Sequence, residues 1–192
     1  MIYWMVIAIL KVFVRLLFRV RIEGRGELPK MGAVVLAANH RSLWDPVFLV
    51  IASRRPVHFM AKDELFRTPF LGQLLPHLKA FPVRRGENDR TAIRSALSVL
   101  RQGNVLGIFV EGTRNKDGNI MPLKRGAAML ASRTEATIIP VAIKRVKRRI
   151  TIKFGAPLSP KKHMASRRST YELISEGLQD ALTRLLEPIP QQ

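Results

Sequence analysis

The run Val34-Val35-Leu36-Ala37-Ala38 carries no polar residue at alternate positions. A strand with one wet face alternates apolar and polar side chains, so an unbroken run reads as a strand covered on both faces. Strands of that kind belong to sheets with helices packed on either side. The rest of the chain agrees. Strand-like runs at Val20 to Glu23, Ala33 to Ala38, Val57 to Ala61, Ala80 to Val83, Val105 to Val110, Thr137 to Ile143 and Ile150 to Phe154 alternate with helix-like ones. The expected fold class is α/β: a single domain with a mixed, mostly parallel central sheet of about seven strands flanked by helices. At 192 residues one domain with a sizeable core is the simplest organisation, and no repeat, low-complexity tract or linker divides it.

Helix signals fall between the runs. Asp45 followed by Pro46 reads as N-cap and first helical residue of a helix through Val50. A Ser42/Asp45 capping pattern is the rival start. Asn88 or Asp89 caps the next helix, which shows Ala92, Ile93, Ala96, Leu97 and Leu100 on one face and stops at Gly103. Ser169 and Glu172 form a capping-box pattern ahead of the stripe Ile174, Leu178, Ala181, Leu182 and Leu185, which should dock on the sheet. Gly24-Arg25-Gly26 reads as a turn. No strand is followed by a dinucleotide fingerprint or a phosphate loop.

The chemistry gathers in the blocks that end these strands. Asn39-His40-Arg41-Ser42-Leu43-Trp44-Asp45-Pro46 places a histidine ahead of an aspartate. An imidazole titrates near neutrality and takes a proton from a hydroxyl, and a neighbouring carboxylate fixes its tautomer. On a regular helix the two positions would sit about 140° apart, so they meet only across a turn. Phe81-Pro82-Val83-Arg84-Arg85-Gly86, Phe109-Val110-Glu111-Gly112-Thr113-Arg114 and Ile139-Pro140-Val141-Ala142-Ile143 follow in order. The first three blocks lie just beyond proposed strands, where open α/β sheets collect their ligands. Arginine suits phosphate through its planar fork of donors. Gly112 gives the third block a turn. Pro140 donates no ladder hydrogen bond, so it implies a sheet edge or a bulge.

These blocks, in this order, resemble the glycerolipid acyltransferase family, and most closely its 1-acylglycerol-3-phosphate O-acyltransferases, over roughly residues 20 to 155. The resemblance implies that His40 is the general base and Asp45 orients it. It implies transfer of an acyl group from a thioester, acyl-CoA or acyl-carrier protein, to the sn-2 hydroxyl of lysophosphatidate, giving phosphatidate. Direct transfer is favoured, because Ser42, the nucleophile on paper, is offset from His40 by only two residues and gives no triad signal. Arg85 aligns best with the family's phosphate-binding arginine, and Arg84 holds a position that varies among members. Lys62, Glu111, Gly112, Thr113 and Arg114 are the other expected substrate-binding residues. Glu111 is expected to accept from a hydroxyl or an arginine, since a carboxylate repels phosphate. The Pro140 block is associated with the acyl site, although a core strand is the reading from its residues alone. No cofactor and no metal is implied, and His58, His77 and His163 lack ligand spacing.

Charge narrows the partners. The chain holds 33 Lys and Arg against 14 Asp and Glu, a formal net charge of +19, which draws polyanions. Met1 to Leu10 is uncharged and apolar, and Lys11, Arg15 and Arg19 then recur at helical spacing. Residues 1–19 are therefore expected to form a membrane-associating helix lying in the headgroup layer, with residues 20–192 as the acyltransferase domain. Packing on the domain's own core, or a tilted span with snorkelling basic residues, is the alternative. The apolar stretch is short for a simple span and has the wrong polarity for a secretory signal. With no cysteine, disulfides and a thiol nucleophile are excluded. The expected location is the cytoplasmic face of a membrane, peripheral or monotopic.

From Ala136 to Tyr171 there is no acidic residue. That basic stretch suits an anionic bilayer, an acidic acyl-carrier protein, the phosphates of coenzyme A, or simply solvent. A different acceptor, either another lysophospholipid or a lipidated amine, keeps the same chemistry. A basic nucleic-acid-binding protein is the reading of a different class, and it requires exposed stacking aromatics among the basic residues. Phe154 and Tyr171 are the only aromatics near that stretch, so no nucleic acid is expected.

Overall fold

The computed structural model describes residues 2–84, 89–115, 120–160 and 167–187. Its strands are β1 (Arg19–Glu23), β2 (Val34–Ala38), β3 (Val57–Lys62), β4 (Ala80–Val83), β5 (Val105–Phe109), β6 (Thr137–Val146) and β7 (Arg149–Phe154). They form one sheet in the order β1-β7-β6-β2-β5-β3-β4. Every neighbouring pair is parallel except β6 with β7, which is an antiparallel hairpin. The sheet is thus mixed and mostly parallel, as its apolar runs imply.

Strand β2 lies in the interior of the sheet and is buried along its whole length. Its side chains feed two cores in alternation. Val34, Leu36 and Ala38 join the core under helices α1 (Ile2–Leu17) and α2 (Asp45–Ala52). Val35 and Ala37 join the core under α5 (Arg90–Arg101), α6 (Gly126–Thr134) and α7 (Arg167–Leu186). The short helices α3 (Asp63–Phe66) and α4 (Pro69–His77) link β3 to β4. Arg25 closes the carboxyl end of α2, its guanidinium donating to the carbonyls of Ala52 (2.5 Å) and Ile51 (3.0 Å).

Helix α1 presents Tyr3, Ile7 and Val14 to the core it shares with α2 and the sheet. Its opposite face carries exposed Met5, Ile9, Val12 and Leu16. Arg19 already belongs to β1, so the basic stripe of the helix itself is Lys11 and Arg15. Arg148, from the β6–β7 turn, caps the helix by donating to the carbonyls of Leu17 (2.8 Å) and Leu16 (3.2 Å). Among the described residues no helix is long and apolar enough to cross a membrane.

The helix starts divide. Asp89 caps α5, its carboxylate accepting from the N–H of Thr91 and Ala92, and Gly103 follows the helix with φ 73°. Asn88, the other proposed cap, lies outside the described residues. Ser169 does not start α7. That helix is already formed at Arg167, and Glu172 pairs with Arg125 of the α6 cap at 2.9 Å. Its stripe does dock, with Ile174, Leu178 and Leu182 buried in the second core.

Pro140 stands in β6, between β7 and β2, and not at an edge. The hairpin ladder ends at the pair Val141 and Phe154. Beyond it the chain of β7 turns away, Gly155 donates to the Pro140 carbonyl at 2.8 Å, and the next bridge is Ile138 with Leu158. The missing N–H therefore falls where β7 has left the ladder.

Candidate active site

Strands β2, β3, β4 and β5 run parallel, so the segments that follow them leave at one edge of the sheet. Asn39 ends β2 and ties that exit to β6. Its amide accepts from the Ile143 N–H (2.7 Å) and donates to the Ile143 carbonyl (3.0 Å). His40 comes next and is buried.

A turn over residues 41–44 brings Asp45 back to His40. Asp45 Oδ2 lies 2.9 Å from His40 Nδ1 and accepts from the N–H of Arg41 and of Ser42, both at 2.6 Å. Ser42 Oγ accepts from the Trp44 N–H at 3.2 Å. The Asp45 N–H in turn donates to the Ser42 carbonyl at 3.2 Å, so only the carboxylate half of the capping pattern forms, and the carboxylate that closes the turn is the one that holds the imidazole. Asp45 is the first residue of α2 and not its N-cap: Trp44 precedes it, without a side-chain bond. With Nδ1–H assigned as donor to the carboxylate, Nε2 is the basic atom of the ring.

The backbone of His40 is held as firmly as its ring. Its N–H donates to Glu111 Oε1 at 2.9 Å, and its carbonyl accepts from the Asn115 N–H at 2.8 Å. Glu111 Oε2 accepts from the Met121 N–H at 3.3 Å. Glu111 is only 3% exposed. Its carboxylate therefore meets main-chain donors, where a hydroxyl or an arginine was expected. It fixes the His40 loop against the β5 exit. The His40 ring stacks on Phe109 with centroids 4.0 Å apart, and Phe109 stacks on Phe59 at 6.2 Å. Gly107 makes room for that stack, because a Cβ there would run into the Phe59 ring.

His40 and Phe109 border a cavity of about 360 Å³, whose other walls are chiefly apolar and include Ile7 and Leu10 of α1 with Leu75 and Leu78 of the α4 segment. Two of the expected cations, Lys62 and Arg114, line it as well. Lys62 pairs with Glu64 at 2.9 Å and stays half exposed. Gly112, at φ 71°, and Thr113 form the exposed turn that carries Arg114. Arg84 follows the edge strand β4, is exposed, and gives its N–H to Asp89 at 2.9 Å; it is not part of the cavity wall. Arg85 and His163 lie outside the described residues. Pro140 packs beside Gly155, away from the cavity. Among the described residues no group of three or more metal-ligating side chains gathers.

Four contributors went unassigned in the sequence. Asn39 had one signal, a polar residue closing an all-apolar strand. Phe109 stood inside a recognised block without a role. Ile7 and Leu10 gave no signal as cavity wall, because only the docking of α1 brings them there.

A family model described as Acyltransferase matches residues 19–144. The chain belongs to the acyltransferase family. It is 35% identical over 135 residues to the 1-acyl-sn-glycerol-3-phosphate acyltransferase of Bacillus subtilis (strain 168), covering 69% of this chain and 66% of that one. The protein of the same name from Borreliella burgdorferi is 31% identical over 127 residues, covering 65% of this chain and 51% of its own length. The chain thus spans between half and two thirds of these curated relatives. The crystal structure of the 1-acyl-sn-glycerophosphate (LPA) acyltransferase PlsC from Thermotoga maritima superposes with TM-score 0.76 at 24% identity, over 97% of this chain and 82% of that one. The likeness establishes a shared fold.

Proposed function

We propose that this chain transfers a fatty acyl group from a thioester to the sn-2 hydroxyl of lysophosphatidate and so makes phosphatidate. The carrying observation is the buried contact of His40 Nδ1 with Asp45 Oδ2 beside an apolar cavity that also holds Lys62 and Arg114. Nε2 takes the proton as the hydroxyl oxygen attacks the thioester carbonyl. The tetrahedral intermediate collapses, the carbon–sulfur bond breaks, and the imidazolium returns its proton to the leaving thiolate. Asp45 holds the tautomer and stabilises the imidazolium, and Glu111 positions the loop through the His40 N–H. Ser42 Oγ is engaged with the Trp44 N–H, which favours direct transfer over a seryl intermediate.

The apolar walls suit a fatty chain, and Arg114 and Lys62 on the cavity wall supply cations for the acceptor's phosphate, with Arg85 the further phosphate-binding arginine of the family pattern. The donor is acyl-CoA or acyl-carrier protein. The outer face of α1, apolar and exposed, lies in an anionic membrane surface, so the enzyme works peripherally on the cytoplasmic face. The nucleic-acid reading loses its support: Phe154 is buried, and Tyr171 packs against the second core.

The deciding assay gives purified protein lysophosphatidate, other lysophospholipids and a lipidated amine, each with acyl-CoA and with acyl-carrier protein. Phosphatidate formation that disappears in His40→Ala supports the proposal. Turnover only with another acceptor would replace lysophosphatidate, and near-normal turnover in His40→Ala would remove the mechanism.

A further inference from the structure

A second cleft, of about 360 Å³, opens beside the catalytic loop and shares no lining residue with the His40 cavity. Arg41, Ser42 and Asp45 form one side, and Ile143, Arg145 and Lys147 the other. The second side exists because β6 outruns its neighbour. The β2–β6 pairing ends at Ala38 and Val141, yet β6 continues to Val146. From Ile143 to Val146 that overhang covers about 10 Å at the usual strand rise, and Lys147 opens the turn beyond it. At Lys147 the cleft meets a larger one, of about 730 Å³, where Arg15, Arg19, Arg148 and Arg149 stand. Asp45 is the one carboxylate in either wall, and its Oδ2 already takes Arg41, Ser42 and His40. Among the described residues, no ion pair uses any of these arginines or Lys147. Arg145 is pre-set, lying over the Phe18 ring at 5.1 Å while its Nε donates to the Lys147 carbonyl at 3.1 Å.

We propose that these joined clefts bind the phosphate end of the thioester donor: the diphosphate of coenzyme A, or the phosphodiester that joins a pantetheine arm to its carrier protein. This rests on the acyltransferase reading above. Direct transfer requires both substrates at once, and both carry phosphate. The acceptor's phosphate is close to its reacting hydroxyl, so it belongs with the cations of the His40 cavity. The donor's phosphate stands a full pantetheine arm away from its thioester carbon. The cations that hold it must therefore lie well away from the imidazole at the end of an open path, and the clefts lead that way, from Arg41 beside the loop to Arg148 and Arg149. Guanidinium groups bind phosphate oxygens in pairs. Arg41 apart, these basic residues are exposed, but they line clefts, which suits a phosphate taken between side chains.

The test pairs Lys147→Asn, which tolerates the φ of 54° at that position, with Arg149→Gln at the exposed start of β7. Arg133→Gln, on the exposed side of α6, is the control. Coenzyme A binding is measured by calorimetry without turnover, and inorganic diphosphate is tested as its competitor on the unmodified protein. The expected result is competition by diphosphate and a Kd for coenzyme A raised about tenfold in the double variant. In detergent solution, the KM for acyl-CoA and for acyl-carrier protein should rise alike, with kcat and the lysophosphatidate KM unchanged. An unchanged coenzyme A Kd overturns the proposal. So does a defect confined to vesicle binding, to the lysophosphatidate KM, or to the carrier protein alone; these would make the clefts a lipid, acceptor or carrier surface respectively. Absence of acyl transfer by the unmodified protein would sink the acyltransferase reading separately, because the calorimetry does not depend on it.

Discussion

Asp45 Oδ2 stands 2.9 Å from His40 Nδ1 and 2.6 Å from the N–H groups of Arg41 and Ser42. One oxygen thus shapes the turn and orients the imidazole. The two duties separate on substitution. Asp45→Asn keeps a carbonyl oxygen for one set of donors and loses the charge that stabilises the imidazolium. Its kcat should fall by about 10²–10⁴, the range of a positioned acid–base group, with little change in lysophosphatidate KM. Circular dichroism and a pH–rate profile check this. A profile of unchanged shape and height would remove Asp45 from the mechanism.

Glu111 gives the second prediction. Both of its oxygens accept main-chain N–H groups in a buried setting, from His40 and Met121. Glu111→Gln can present only one acceptor, so one N–H faces an amide N–H. An unmet buried donor costs about 1–3 kcal/mol. Urea denaturation should show a loss of that order. The kcat should fall while the KM of each substrate holds, because both carboxylate oxygens are taken up by main-chain N–H groups. A rise in lysophosphatidate KM alone would place Glu111 on the substrate instead.

Gly107 gives the third. Overpacking a filled site costs about 1–3 kcal/mol, and the pressure at Gly107 passes from Phe59 to Phe109 and on to the His40 ring. Gly107→Ala should lose stability and activity together, and adding Phe59→Leu should restore part of both. A double-mutant cycle in urea measures the coupling. Additive effects would show that the stack does not transmit the strain.

The parallel sheet was legible because burial on both faces leaves apolar runs that no other environment explains. The His40 and Asp45 pair was legible because Pro46 places a helix start where a turn must end. The role of Glu111 was not, since its donors come from His40 and from Met121, across a loop with no pattern of its own. Pro140 misled because the ladder's end is set by the exit of β7 after Phe154, which leaves no trace at residue 140. Helix α6 starts without a side-chain cap, and α4 contains Pro76, so neither offered the usual signals. Ser169 and Glu172 matched a capping pattern by spacing, but the helix is already formed at Arg167, and Glu172 pairs with Arg125.

His58 gives the fourth prediction, on pH. Burial holds its imidazole below the usual range; the bond to the Val105 carbonyl offsets this in part, and nearby Lys79 adds to the depression. A lowered histidine binds its proton more readily in the unfolded chain. Stability from this group is therefore complete above the unfolded value of 6.5 and is lost as pH falls below it. Urea midpoints between neutrality and mild acid should decline in the native protein and decline less in His58→Gln. Parallel curves would exclude His58 as the source.

The outer face of α1 gives the last. Met5, Ile9, Val12 and Leu16 recur at helical spacing and are 58%, 62%, 61% and 72% exposed. The inner residues Tyr3, Ile7 and Val14 anchor the same helix in the core, so its outer stripe can change without releasing it. Ile9→Ser with Leu16→Ser removes the two most exposed of the four. Binding to anionic vesicles should weaken by about tenfold or more, at roughly 1.5–3 kcal/mol for each large apolar side chain fully buried. The melting temperature and the activity on detergent-dispersed substrate should hold. Raising salt should weaken the native protein's binding further, because Arg15 and Lys11 flank the stripe and their attraction to lipid phosphate is screened. Undiminished vesicle binding in the double variant would mean that the membrane is met elsewhere. In that case the basic hairpin after β6 is the surface to test, and the cleft beside Asp45 would face lipid and not the donor.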